Sequence, residues 1–106
     1  MFDALVLDRT NGDLTVEVRR LSTDDLPDAG PDEVHLQVLY SSLNYKDALA
    51  VTGAGKIVRG GVPIVPGIDL VGQVVESEID TLETGDYAIG TGWELGEVDW
   101  GGYGQR

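Results

Sequence analysis

Asn11-Gly12 constrains this chain more than any other pair of residues. Both residues tolerate the left-handed backbone that a two-residue hairpin loop demands, and few other pairs do. Before it, residues 2–8 form a short apolar run, Phe-Asp-Ala-Leu-Val-Leu-Asp. After it, Leu14, Val16 and Val18 alternate with Asp13, Thr15, Glu17 and Arg19, the period of a strand with one face turned inward. The chain therefore opens with an antiparallel hairpin.

Beyond the hairpin the chain keeps to short strands and punctuated loops. Residues 22–33 hold Asp24, Asp25, Pro27, Asp28, Gly30, Pro31 and Asp32, a loop whose charges face water. From 34 to 40, Val34, Leu36, Val38 and Tyr40 alternate with His35, Gln37 and Leu39 as a strand. Residues 54–66 form a loop, with Pro63 and Pro66 imposing extended backbone on the residue before each. Asp69 to Val75 reads as a strand in which Gly72 marks a bend or a close backbone approach. A polar stretch ends in the turn Thr84-Gly85-Asp86, and a last strand covers 86–91. The glycines of 101–104 read most simply as a flexible end.

Only one helix is legible, between Asn44 and Gly53. Asn44 suits the N-cap, and Asp47 stands three residues on, where its carboxylate can answer back. Ala48, Leu49 and Ala50 favour helix, and Gly53 suits the residue after its end. At barely two turns the helix must be held by packing. The fold class is mostly β, a partly open barrel with one short helix.

Composition removes several functions. Nineteen acidic residues against seven basic ones give a net charge of −12, which opposes nucleic acid and anionic membrane surfaces. Lysine occurs only at 46 and 56, and a salt-adapted source is as reasonable as an ordinary acidic protein. There is no cysteine and one histidine, His35, so a zinc site of the usual nitrogen and sulfur ligands cannot be assembled. His35 itself reads as a solvent-facing residue on the polar side of its strand. The first residues, Met-Phe-Asp-Ala, lack the basic and apolar regions of a signal peptide, and a cytoplasmic location is expected.

Three blocks carry a family resemblance: Ser42-Leu43-Asn44-Tyr45-Lys46-Asp47, then Pro66-Gly67-Ile68-Asp69-Leu70-Val71-Gly72, then Thr91-Gly92-Trp93. In this order and spacing the chain resembles the N-terminal part of the medium-chain dehydrogenase/reductase superfamily. It is most similar to the zinc-independent group of acryloyl-CoA reductases and quinone-oxidoreductase-like proteins. The resemblance implies a GroES-like domain over residues 1–106, the substrate side of such an enzyme. The family's nucleotide-binding domain is absent from this chain, since Gly53-Ala54-Gly55 meets Val58 where a dinucleotide fingerprint needs a third glycine. The resemblance thus makes the chain an N-terminal fragment truncated inside a further strand, inactive alone, although a complete stand-alone domain is the other reading.

The resemblance further implies NADPH as cofactor and an α,β-unsaturated acyl-CoA as substrate, its C=C bond reduced by hydride transfer. Quinone or enone reduction is the alternative, and a non-catalytic binding or assembly module, as in ring-forming co-chaperonins, is the reading from another class. The zinc-dependent cousins carry Cys and His-Glu ligands where this chain has Asn44, Tyr45 and Ile68-Asp69. Without a metal, a developing oxyanion must be held by hydrogen bonds.

Asn44 either caps the helix or, by resemblance, directs its amide at the cofactor or substrate. Tyr45 either donates to the substrate carbonyl or packs on Leu49 one turn on. Lys46 reads as solvent-facing. Asp47 is a cap or, by resemblance, a cofactor-binding residue. Asp69 reads as hydrogen-bonded to nearby backbone, and Trp93 and Trp100 as core or rim residues that can also border the substrate cleft. From Ala48 to Ile68 there is no acid, while Lys56 and Arg59 fall there, so these two are candidates for docking substrate phosphates. An open strand edge beyond Arg106 would favour self-association, and a homo-oligomer is expected.

Overall fold

The structure is a computed structural model that describes residues 1–54 and 56–106; Gly55, the second glycine of the partial fingerprint, lies outside the described residues. Strand β1 (Phe2–Thr10) pairs antiparallel with β2 (Asp13–Leu21) in unbroken register from Thr10↔Asp13 to Phe2↔Leu21. Asn11 and Gly12 take φ of 54° and 84°, the two positive values a tight hairpin loop requires. Once the loop fixes the register, pairing runs nine residues back, beyond the alternation visible in the sequence.

β1 is the spine of the domain because both its faces are covered. Phe2, Ala4 and Val6 pack with Val65, while Leu7 packs on the other side with Ala50 and Ile64. Trp100 touches both clusters. The second edge of β1 is also in use: Leu7 and Ile64 exchange main-chain hydrogen bonds of 2.8 and 2.9 Å, and the Leu5 N–H donates to the Tyr103 carbonyl at 2.8 Å. β2 gains less from the hairpin. Leu14 packs against the Leu7, Ala50 and Ile64 cluster, but Val16 and Val18 on the same face are 42% and 72% exposed, so the apolar face of β2 is covered only at its start.

The second sheet has the order β3 (Val34–Ser41), β4 (Asp69–Ser77), β5 (Tyr87–Thr91), all antiparallel. Register shifts fall between His35 and Leu36 and between Val38 and Tyr40. Gly72 pairs with Val38, and a Cβ there would meet the Gln37 carbonyl oxygen at 2.9 Å, which is the close approach its place in the strand suggested. Helix α1 (Tyr45–Thr52) connects β3 to the loop before β4.

The tail departs from expectation. Gly101, Gly102 and Gly104 are buried rather than loose. Gln105 donates its N–H to the Asp3 carbonyl and accepts that of Val38, so this segment sews β1 to β3. Glycine is needed because backbone crosses backbone: a Cβ on Gly102 would sit 2.9 Å from the Asp69 carbonyl oxygen. His35 also differs from its solvent-facing reading. It is half-buried, with Nδ1 3.1 Å from a Glu76 carboxylate oxygen and Nε2 3.0 Å from the Pro27 carbonyl oxygen.

Candidate active-site face

The start of α1 is built as the sequence indicated. Asn44 is extended at φ −122° and ψ 162°, and Gly53 closes the helix in the left-handed region at φ 70°. Asp47 does more than cap. Its Oδ2 accepts the Asn44 N–H at 2.9 Å, and its Oδ1 accepts the Ile68 N–H at 2.9 Å. A carboxylate only 1% exposed is tolerable because each oxygen has such a donor. The second bond fastens the helix to the Pro66–Asp69 segment, so two blocks far apart in sequence become one structural unit.

Asp69 then meets Asn44 from the other side. The Asn44 Nδ2 donates to Asp69 Oδ2 at 3.1 Å and to Ser42 Oγ at 3.0 Å, and Ser42 Oγ approaches the same carboxylate at 3.4 Å. Asp69 is therefore held by side chains, not by the nearby backbone its position suggested. Both N–H bonds of the Asn44 amide are committed in this way. Beneath them the Tyr103 hydroxyl donates to the Ser42 carbonyl at 2.9 Å. Burial, with the negative charge of Asp47 and Asp69 beside it, pushes that phenol up to about 12.

The exposed members stand at the rim. Tyr45 is 80% exposed, so it is not buried against Leu49. Trp93 is 89% exposed, in a left-handed backbone at φ 53°, two residues beyond Thr91, which pairs with Asp69. Trp93 is thus a surface residue, whereas Trp100 is half-buried against both core clusters.

Sequence reading missed Glu97. It is buried, and its carboxylate is clamped by Lys46 Nζ and Arg59 Nη2, both at 3.0 Å. Its main-chain carbonyl accepts from Arg59 and Gly60 at 2.8 and 3.0 Å. The Lys46 hydrogen bond, followed by that of Arg59, holds the carboxyl below the usual range against the opposing cost of burial. No sequence signal joins residues 46, 59 and 97, because the pairing depends on loops whose course only the fold sets. Lys46 is accordingly paired rather than simply solvated. Arg59 shares Glu97, whereas Lys56 makes no ion pair among the described residues. Among the described residues no group of three His, Cys, Asp or Glu side chains is placed to hold a metal ion.

The helix capped by Asn44 and the Pro66–Asp69 segment it is bolted to fall inside a single family match. Residues 30–102 match the alcohol dehydrogenase GroES-like domain. The chain belongs to this family.

Over its whole length it is 44% identical to acrylyl-CoA reductase AcuI of Ruegeria pomeroyi, of which it covers 32%. The yhdH oxidoreductase of Salmonella enterica, solved in complex with NADP, is 45% identical over 97% of this chain and 31% of that one, with a TM-score of 0.86. Bacillus subtilis yhfP, solved with NAD bound, is 41% identical over 98% of this chain and 30% of that one, also with a TM-score of 0.86. The chain thus spans about a third of the length of the relatives it matches. As a GroES-like domain it is mostly strand, with α1 as its one α-helix among the described residues.

Proposed function

We propose that this chain is the substrate-side domain of a zinc-independent reductase that saturates the C=C bond of an α,β-unsaturated acyl-CoA thioester, acryloyl-CoA or a close analogue. The carrying observation is the 44% identity to an acrylyl-CoA reductase along all of the chain. NADPH, when bound, supplies the hydride. Its dinucleotide fingerprint has no counterpart here, so what these residues can offer is the face toward the nicotinamide and the substrate. Asn44, Tyr45 and Asp47 are the cofactor-side residues of the proposal, and they divide the labour. Asp47 is buried and fixes the backbone of Asn44; Asn44, held by Ser42 and Asp69, is the anchored polar group of the face.

Tyr45 is then the catalytic donor of this reading. Its hydroxyl makes no hydrogen bond among the described residues and can donate to the thioester oxygen as negative charge gathers there. Trp93 offers an exposed indole against which the acyl part of the substrate can pack. The protein carrying this domain should reduce acryloyl-CoA with NADPH, and Tyr45→Phe should lower kcat about 10–100-fold, the worth of one oxyanion donor or somewhat less. Turnover of quinones with none of acryloyl-CoA would overturn this reading in favour of quinone reduction, the activity for which YhfP of Bacillus subtilis is a candidate by name.

A further inference from the structure

A concavity lies along the far half of α1, away from Asn44 and Tyr45. Its walls are the end of the β1–β2 hairpin, the last turns of α1 and residues 56–62, and it encloses about 510 Å³. That is within the range of ordinary ligand sites. Arg9, Lys56 and Arg59 line it, with Leu14, Val58 and Val62 between them. No acid lines it. The whole chain has only seven basic residues against nineteen acidic ones, so three of the seven at one acid-free groove is a concentration of opposite sign to the rest of the molecule.

We propose that this groove binds the phosphate groups of a nucleotide-bearing ligand, the adenosine phosphate end of coenzyme A being the fitting occupant. The choice of coenzyme A rests on the reductase reading; the anion site does not. Arg9 and Lys56 make no ion pair among the described residues. The Arg9 guanidinium contacts only the Gly12 carbonyl, at 3.3 Å, which leaves most of its donors free. Arg59 gives Glu97 one nitrogen and keeps others. Lys46, Arg59 and Glu97 together retain one positive charge, and Arg9 and Lys56 add two more. The C-terminal end of α1 opposes an anion with about half a negative charge, too little to cancel them.

The apolar residues between the cations suit an adenine or ribose face, while the guanidinium groups match phosphate oxygens in pairs. The groove also runs alongside an eight-residue helix, about 12 Å long, whose other end carries Tyr45. A ligand with phosphates at one end and its reactive carbon on a long flexible arm could occupy both.

The test is titration of the 106-residue chain at low salt with inorganic pyrophosphate, coenzyme A and NADPH, followed by amide chemical shifts. Saturable shifts confined to the neighbourhood of Arg9, Gly53 and Arg59 are expected. Arg9→Gln or Lys56→Gln should weaken binding at least tenfold, whereas Arg20→Gln, which removes an equal charge on β2, should leave it unchanged. Tighter binding of coenzyme A than of NADPH assigns the site to the thioester; the reverse order assigns it to the dinucleotide and keeps the phosphate site. Absence of saturable binding for all three, or equal loss with Arg20→Gln, overturns it. Because no turnover is measured, this result stands or falls apart from the reductase reading.

Discussion

The side-chain amide of Asn44 donates to the Asp69 carboxylate at 3.1 Å, joining the residue before α1 to the first residue of β4. A carboxylate can only accept, so Asp69 fixes which end of the Asn44 amide faces it. Asp69→Ala removes that constraint. In the reductase proposed above, kcat/KM should fall about 10–100-fold, the worth of one hydrogen bond to a charged group. Asp69→Asn keeps an accepting oxygen and should recover most of the loss. Equal activity of Asp69→Ala and wild type would remove Asp69 from the site.

Asp47 accepts two backbone donors, and its loss should show in stability. Asp47→Ala leaves the N–H groups of Asn44 and Ile68 without acceptors at the most buried carboxylate in the structure. Each such orphan costs about 1–3 kcal/mol, so a loss of about 3 kcal/mol in urea unfolding is expected. Asp47→Asn, with one accepting atom in place of two, should lie between.

The Lys46–Glu97–Arg59 cluster gives a pH signature. The carboxyl of Glu97 is lowered in the folded chain from an ordinary value of 4.5. The ionised form is favoured by folding, so its contribution is complete above pH 4.5 and is lost as pH falls through the lowered folded value. Lys46 and Arg59 are themselves about half exposed, which limits the contribution to about 1 kcal/mol. Wild type should exceed Glu97→Gln by that amount at pH 7, with the gap closing in acid. A gap independent of pH down to 3 would show that Glu97 acts through packing alone.

The legible parts of this fold were those governed by local chemistry. Asn11-Gly12 dictated a two-residue loop, and the loop dictated a register. Asn44, Asp47 and Gly53 dictated where α1 begins and ends. The less legible parts depend on encounters between distant segments. Nothing near Gly101 and Gly102 announces that they pass under the backbone of Pro66, Gly67 and Asp69, and a glycine-rich end unpaired in sequence looks the same as a flexible one. Val16 and Val18 alternate like buried residues, but alternation reports a face and not what covers it. At the site, Asn44, Asp47 and Asp69 were separately visible. Their joining was not, because a buried carboxylate chooses its donors in three dimensions.

Tyr103 provides a second titration. Its phenol is raised to about 12 in the folded chain from an ordinary 10.0, with burial the largest cause. Folding therefore favours the protonated form, and that stabilisation is complete below pH 10 and lost as pH rises toward 12. The difference in tyrosinate absorbance between wild type and Tyr103→Phe should stay flat through pH 10 and appear near 12. A difference already complete at pH 10.5 would mean the hydroxyl is open to water.

Self-association should proceed through the β3–β4–β5 sheet. β5 has an open edge, and its residues Tyr87-Ala88-Ile89-Gly90-Thr91 carry no charge and no proline to discourage another strand. Register sets Tyr40 opposite Val71 and Val71 opposite Ile89, so one row on one face holds two residues that are 74% and 75% exposed. Tyr87 adds a third, 70% exposed, two residues along the same face. Against this stands the net charge of −12, which pushes two copies apart until salt screens it at distances beyond about 10 Å near 0.1 M. Association should therefore strengthen with salt, the opposite of phosphate binding at the groove of Arg9 and Lys56. Light scattering should show mass rising with protein concentration, more steeply at 1 M than at 0.05 M salt. Ile89→Lys places a charge in the middle of the row and should hold the chain monomeric without unfolding it, since Ile89 is mostly in water already. A monomer mass at every concentration in high salt, or an unchanged dimer in Ile89→Lys, would remove this face as the contact.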